Sequence, residues 1–108
     1  MRRGELWTVA AGVYASKPRP AIILQDDLFD ATDSVVVVPL TTTRVDAPVA
    51  RIAVPRDDVT GIAHESYAMV DKITAVRRSS LGTRIGRVPT SLMVDIERSI
   101  VVFLGLAV

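Results

Sequence analysis

Four consecutive valines, Val35–Val38, lie inside the run Ser34–Thr41 and are followed by Pro39 and Leu40. β-Branched residues in a row favour the pleated conformation, and an unbroken apolar run implies burial on both faces of the strand. Pro39 has no N–H to give to a ladder, which places the end of this strand near a sheet edge.

The rest of the chain reads as strands as far as Val88. Glu5–Ala10, Pro20–Gln25, Arg51–Val54, Ser66–Ile73 and Arg84–Val88 have the residues and bounds of strands, with Gly12–Lys17 and the aspartate-rich Asp26–Asp33 as loops between them. Beyond Pro89 the period changes. Leu92, Ile96, Ile100 and Phe103 recur at helical spacing, Ser91, Asp95 and Arg98 occupy another face, and Thr90 is placed to be the N-cap. The expected architecture is mainly antiparallel β with a C-terminal α-helix over residues 91–104, packed on a small barrel or curved sheet.

At 108 residues the expectation is one domain, residues 1–108, with no linker or repeat. A hydrophobic share of 49% is high for so small a domain, and Val94, Val101 and Val102 widen the apolar surface of the helix, so a homodimer is expected. The net charge of +1 hides an asymmetry. Residues 1–71 carry 7 basic and 10 acidic side chains, whereas 72–108 carry 6 and 2, giving −3 and +4. A partly basic face of this kind steers a polyanion without coating it indiscriminately.

There is no cysteine and a single histidine, His64, so thiolate metal sites and a two-histidine acid/base pair within one subunit are excluded. The four aspartates of the 26–33 loop read as a solvated turn, and neither metal nor cofactor is expected. Met1-Arg2-Arg3 is followed by Gly4-Glu5 with no apolar segment behind it, and the longest apolar run, Ile100–Val108, is too short to span a bilayer. A cytoplasmic protein that does not enter membranes is the expectation.

A candidate phosphate-binding corner stands against the plainer reading of a surface arginine and a strand-end threonine satisfied by backbone. Pro18 and Pro20 enclose Arg19 at the start of a strand, fixing φ on either side and pushing the arginine out of the helical region. The next strand ends in Thr41-Thr42-Thr43-Arg44. A stiffened guanidinium with five donors, set beside hydroxyls at a strand end, can grip a phosphate without a metal.

Four segments together resemble one family. Arg3-Gly4-Glu5-Leu6-Trp7, Arg19-Pro20-Ala21-Ile22-Ile23-Leu24, Val38-Pro39-Leu40-Thr41-Thr42 and Ala68-Met69-Val70-Asp71-Lys72-Ile73 are similar, in this order, to segments of the MazF/PemK toxins of bacterial toxin–antitoxin systems. The resemblance implies a small SH3-like barrel of the MazF/PemK/CcdB type, a homodimer, a cognate antitoxin, and metal-independent endoribonuclease activity on single-stranded RNA. It also implies that Arg19 and Thr41 belong to the active site. The Ala10–Pro18 loop is shorter than usual for the family and lacks its Gly-Ser-Glu stretch.

RNA supplies its own nucleophile, the 2′-hydroxyl beside the scissile phosphate, so the protein must orient it, move protons and stabilise a charged transition state. Arg19 suits the electrostatic clamp and Thr41 a hydroxyl donor to the same phosphate, with a 2′,3′-cyclic phosphate and a 5′-hydroxyl as expected products. For the proton acceptor Asp71 is the first candidate, against the alternative that it forms a structural ion pair near Lys72; His64 is the second. Tyr14 is the expected stacking platform for a base, and Lys17, Thr42, Thr43, Arg44 and Lys72 are the remaining candidate RNA contacts. Trp7 and Phe103 are expected in the core. The rival readings are a CcdB-like toxin that acts by protein contact and cleaves nothing, an inactive relative, or a plain nucleic-acid-binding barrel.

Overall fold

The computed structural model describes residues 1–10, 17–47 and 50–106. Along them run β1 (Glu5–Val9), β2 (Arg19–Ile23), β3 (Ser34–Thr41), β4 (Arg51–Val54), β5 (Ser66–Met69), β6 (Thr74–Arg77), β7 (Leu81–Arg87) and α1 (Thr90–Phe103). Short 3-10 turns occupy Asp27–Phe29, Val70–Lys72 and Arg78–Ser80. Every strand pairing is antiparallel, in the order β4-β5-β3-β2-β1-β7, with β6 also paired to β3.

The valine run is buried on both faces, as its composition requires. Val35 and Val37 join Ala21 and Ile23 in one apolar cluster, against which Trp7, Val9, Val76 and Leu81 pack. Val38 and Leu40 point the other way, into a larger cluster with Leu6, Ile22, Val54 and, from α1, Met93 and Ile96. One strand thus holds two apolar layers together, and its period of two assigns alternate residues to each.

β3 changes partners along its length. Ser34–Val37 pair with β6, whereas Leu40 and Thr41 pair with Ala68 and Tyr67 of β5. Val38 and Pro39 fall in the gap between the two ladders, so the proline's missing N–H costs no bond on that side. The proline therefore marks a change of partner within a central strand, where the sequence suggested a sheet edge.

The expected strand Ser66–Ile73 stops at Met69, and a further strand, β6, begins just beyond the run at Thr74. Val70–Lys72 form a 3-10 turn between them, with Val70 fully buried and its N–H donating to the Ala50 carbonyl at 2.8 Å. The chain steps here from the end of β3 to its beginning, a demand of topology that the residues Val-Asp-Lys do not announce. β7 begins at Leu81, earlier than the expected Arg84, because Leu81 packs on the second apolar cluster; it ends at Arg87.

The helix starts on a different cap from the one expected. Pro89, extended at φ −60° and ψ 151°, occupies the N-cap and Thr90 is the first helical residue, with no side-chain cap bond. Met93 and Ile96 are buried, and Leu92 and Ile100 pack partly on the core. Phe103 does not fill the core: it is 48% exposed, because no helical residue beyond Ile100 reaches the apolar layer. Trp7 packs on the second cluster, with its indole N–H donating to Glu5 Oε1 at 3.2 Å. No helix among the described residues is long and apolar enough to cross a membrane.

Candidate active site

The β2–β3 register runs Ala21↔Pro39, Ile22↔Val38 and Ile23↔Val37. Carried two residues past its last paired position, it sets Arg19 level with Thr41, at the end of β3 whose other edge pairs with β5. Strand alternation puts Arg19 on the face of Ala21 and Ile23, and Thr41 on the face of Val37 and Pro39, which is the same face. Arg19 is exposed and opens β2 opposite Val9 of β1. Two residues that are 22 apart in sequence are thus brought to one corner by one strand register.

Thr41 is half-buried, and its hydroxyl oxygen accepts the backbone N–H of Thr43 at 3.1 Å. That bond tightens the turn after β3 and leaves the hydroxyl proton available for a ligand. Thr42, Thr43 and Arg44 follow on the exposed surface, and Lys17 is exposed two residues before Arg19. Tyr14 lies outside the described residues.

Asp71 sits in the 3-10 turn after β5, not on a strand. Its carboxylate accepts from Arg51 Nε at 3.1 Å and from a second nitrogen of the same guanidinium at 3.2 Å. This is a two-point ion pair, and its partner is Arg51 of β4 rather than the neighbouring Lys72, which is exposed. Arg51 lies opposite Met69 in the β4–β5 register, and no local pattern links it to a residue 20 positions away. Thr41 pairs with Tyr67, so Asp71 stands four residues further along the chain, on the order of 10 Å away. The structure therefore groups Arg19 with Thr41 and sets the Asp71–Arg51 pair to one side of them.

A cleft of about 440 Å³ opens at the same end of the sheet on its other face. Pro20 and Thr42, the immediate neighbours of Arg19 and Thr41, form part of its wall; Ile62, Ala63, His64 and Ile85 form much of the rest, and the lining is mostly apolar. His64 itself is exposed. A second cleft, of about 390 Å³, lies between the N-terminal segment and the start of α1 and is lined by Arg2, Arg3, Arg84 and Arg87 together with Glu5 and Glu97. Arg3 bonds Glu97 at 2.9 Å and Arg84 bonds Glu5 at 2.6 Å. Burial pushes the Glu5 carboxyl upward, but the Arg2 backbone N–H, the Arg84 guanidinium and the Trp7 indole outweigh it and hold the group below its ordinary value of 4.5. In the aspartate-rich loop, Asp26 caps the Asp27–Phe29 turn through Leu28 N and Asp27 accepts from Arg3 N, so two of the four carboxylates do structural work.

Residues 2–104 match the family described as PemK-like, MazF-like toxin of type II toxin–antitoxin system. The chain belongs to this family. It is 52% identical over 108 residues to a protein of Mycolicibacterium smegmatis named probable endoribonuclease MazF, with 99% of each chain covered. Among solved structures it is similar to a mycobacterial endoribonuclease in complex with its cognate antitoxin, at 27% identity and a TM-score of 0.83, covering 100% of this chain and 98% of that one. A MazE–MazF structure from Deinococcus radiodurans gives a TM-score of 0.80 at 16% identity, over 97% and 95% of the two chains, a likeness of fold alone. Membership of the PemK/MazF family favours the toxin endoribonuclease over the CcdB-like alternative.

Proposed function

We propose that this PemK/MazF family member is a toxin endoribonuclease that cuts single-stranded RNA without a metal, by attack of the 2′-hydroxyl on the adjoining phosphate. The observation that carries this reading is the register that levels Arg19 with Thr41, in a chain 52% identical to a probable endoribonuclease. Arg19 clamps the non-bridging oxygens as negative charge develops on them, and the Thr41 hydroxyl donates to the same phosphate while its oxygen remains tied to Thr43. The 2′-hydroxyl proton passes to water at the exposed corner, because Asp71, held by Arg51 on the order of 10 Å to one side, is out of hydrogen-bond reach of it. The new bond joins the 2′-oxygen to phosphorus, the 5′-oxygen leaves with a proton, and the products are a 2′,3′-cyclic phosphate and a 5′-hydroxyl. Lys17, Thr42, Thr43, Arg44 and Lys72 line the approach of the RNA backbone.

The working species is a homodimer, supported by the apolar residues exposed at the end of α1. Its partner is a cognate antitoxin whose acidic, disordered segment covers the basic surface, as the solved complex of a related endoribonuclease with its antitoxin supports. Incubation of the purified protein with end-labelled single-stranded RNA in EDTA, followed by end-group analysis, tests the reading. Cleavage at an undiminished rate with cyclic phosphate ends is expected; activity that collapses in EDTA and returns with magnesium overturns the mechanism.

A further inference from the structure

The cleft of about 390 Å³ between the N-terminal segment and α1 lies away from the arginine–threonine corner. Arg19 stands opposite Val9 at one end of β1, whereas Glu5 and Arg87, which line this cleft, pair at the other end, on the order of 13 Å away at ~3.4 Å per residue. Four guanidinium groups reach the cleft, and the backbone explains why they meet. Between Leu6 and Trp7 the β1–β7 register slips by one residue, with Ile85 as the extra one, so that Arg84 comes opposite Trp7 and Arg87 opposite Glu5. Residues three apart in a regular strand point to opposite faces, and the slip turns both arginines to one side. Arg2 and Arg3 arrive by a tight turn. Gly4, at φ +88°, closes it, and the Glu5 N–H donates to the Arg2 carbonyl at 3.1 Å.

Two of the four guanidinium groups are engaged. Arg3 bonds Glu97 and the Leu24 carbonyl, each at 2.9 Å, and Arg84 bonds Glu5 at 2.6 Å. Arg2 and Arg87 are exposed and enter no ion pair among the described residues, which leaves the cleft with two unanswered positive charges. Its floor is apolar, made by the buried Val88 and Met93 and by Val94. The ligand that fits carries two or more negative charges at one end and a flat apolar body at the other. A nucleoside polyphosphate has this form: its phosphates take the planar forks of Arg2 and Arg87, and its base rests on Val94 and the Met93 thioether. Glu5 and Glu97 offer acceptors to amino or hydroxyl groups of the nucleoside, and the same carboxylates stand against a continuous chain of phosphodiesters. The volume falls within the ~300–1,000 Å³ of small-molecule sites.

We propose that this cleft is a second binding site, separate from the RNA corner, for a free nucleoside di- or triphosphate. Trp7 reports its occupancy. It is the one tryptophan of the chain, and its indole N–H donates at 3.2 Å to the same Glu5 carboxylate that holds Arg84. A phosphate that draws on Arg84 changes the charge felt by that indole.

Titration of the purified protein with ATP in EDTA, followed by Trp7 fluorescence and by calorimetry on the same samples, tests the proposal. Saturable binding is expected. Arg2→Ala and Arg87→Ala should each weaken it about tenfold, the worth of one hydrogen bond to a charged group, while Arg19→Ala leaves it unchanged. Adenosine and tripolyphosphate, which each carry half of the ligand, should bind at least about tenfold more weakly than ATP. No binding of ATP by wild type, or equal binding by wild type, Arg2→Ala and Arg87→Ala, overturns the site. Tripolyphosphate that binds as tightly as ATP overturns the assignment to a nucleotide, and loss of ATP binding in Arg19→Ala places the ligand at the corner and overturns the second site. None of these outcomes touches the nuclease reading, which stands or falls on cleavage.

Discussion

The Arg19 side chain makes no hydrogen bond among the described residues and is exposed, so its removal costs the fold little. Arg19→Ala is expected to cut the rate of RNA cleavage by about 10²–10³-fold, the usual worth of one electrostatic contact to a developing oxyanion, with an unchanged melting temperature. Near-wild-type turnover in the folded variant would remove Arg19 from the site. Thr41→Val keeps the β-branch and loses the hydroxyl, which predicts about 10–100-fold slower cleavage, the worth of a hydrogen bond to a charged group. The lost Thr43 contact loosens only an exposed turn, so a large drop in melting temperature would mark Thr41 as structural. Glu5 carries a pH prediction. Its carboxyl is held below the ordinary value, so its contribution is fully present above about pH 4.5 and is lost as the pH falls through the folded-state value. Glu5→Gln should lower the melting temperature at neutral pH and flatten its decline below about pH 4.5; an unchanged acid limb would show that the Arg84 and Arg2 contacts contribute nothing.

At the scale of elements, the loop after β4 is locked onto β7 by main chain. Thr60 is fully buried, donates from Oγ1 to the Pro55 carbonyl at 2.7 Å, and its segment receives the Arg87 N–H on the Val59 carbonyl at 3.0 Å. A Cβ at Gly86 would come within 2.4 Å of the Val59 and Thr60 carbonyl oxygens, and neither carbonyl can move without opening that contact. Gly86→Ala is therefore expected to cost about 1–3 kcal/mol, read as a fall in melting temperature of roughly 4–8 °C per kcal/mol. A variant as stable as wild type would mean that the loop and β7 separate without penalty. Asp71 and Arg51 belong to this scale too: the pair ties β4 to the turn that divides β5 from β6.

The whole molecule ends in apolar surface. Val102, Phe103, Leu104 and Leu106 are 58%, 48%, 56% and 66% exposed, a concentration that a soluble monomer rarely carries at one end. Phe103→Asp is expected to shift sedimentation from dimer to monomer without unfolding the sheet, since Phe103 makes no part of either apolar cluster. A dimer that survives this change would place the subunit contact elsewhere.

The strand character of Ser34–Thr41, its burial on both faces, the helical period after Pro89 and the arginine between two prolines were all legible from the residues alone. Each is a local matter: steric bias at Cβ, a period of two or 3.6, a fixed φ. What the residues could not show is everything decided by contacts distant in sequence. That β3 gives its first half to β6 and its last to β5 is a matter of sheet closure, so the run Ser66–Ile73 looks continuous and is not. Asp71 sits beside Lys72 in sequence but meets Arg51 in space, because the β4–β5 register crosses Arg51 with Met69 and the turn then swings the carboxylate back. Phe103 has the helical spacing of a core residue and is exposed because the sheet ends before the helix does. Local stereochemistry chose the elements. Which side chains meet at the corner and across the cleft was set by strand register and by main-chain packing at Gly61 and Gly86, and these exist only once the sheet has closed.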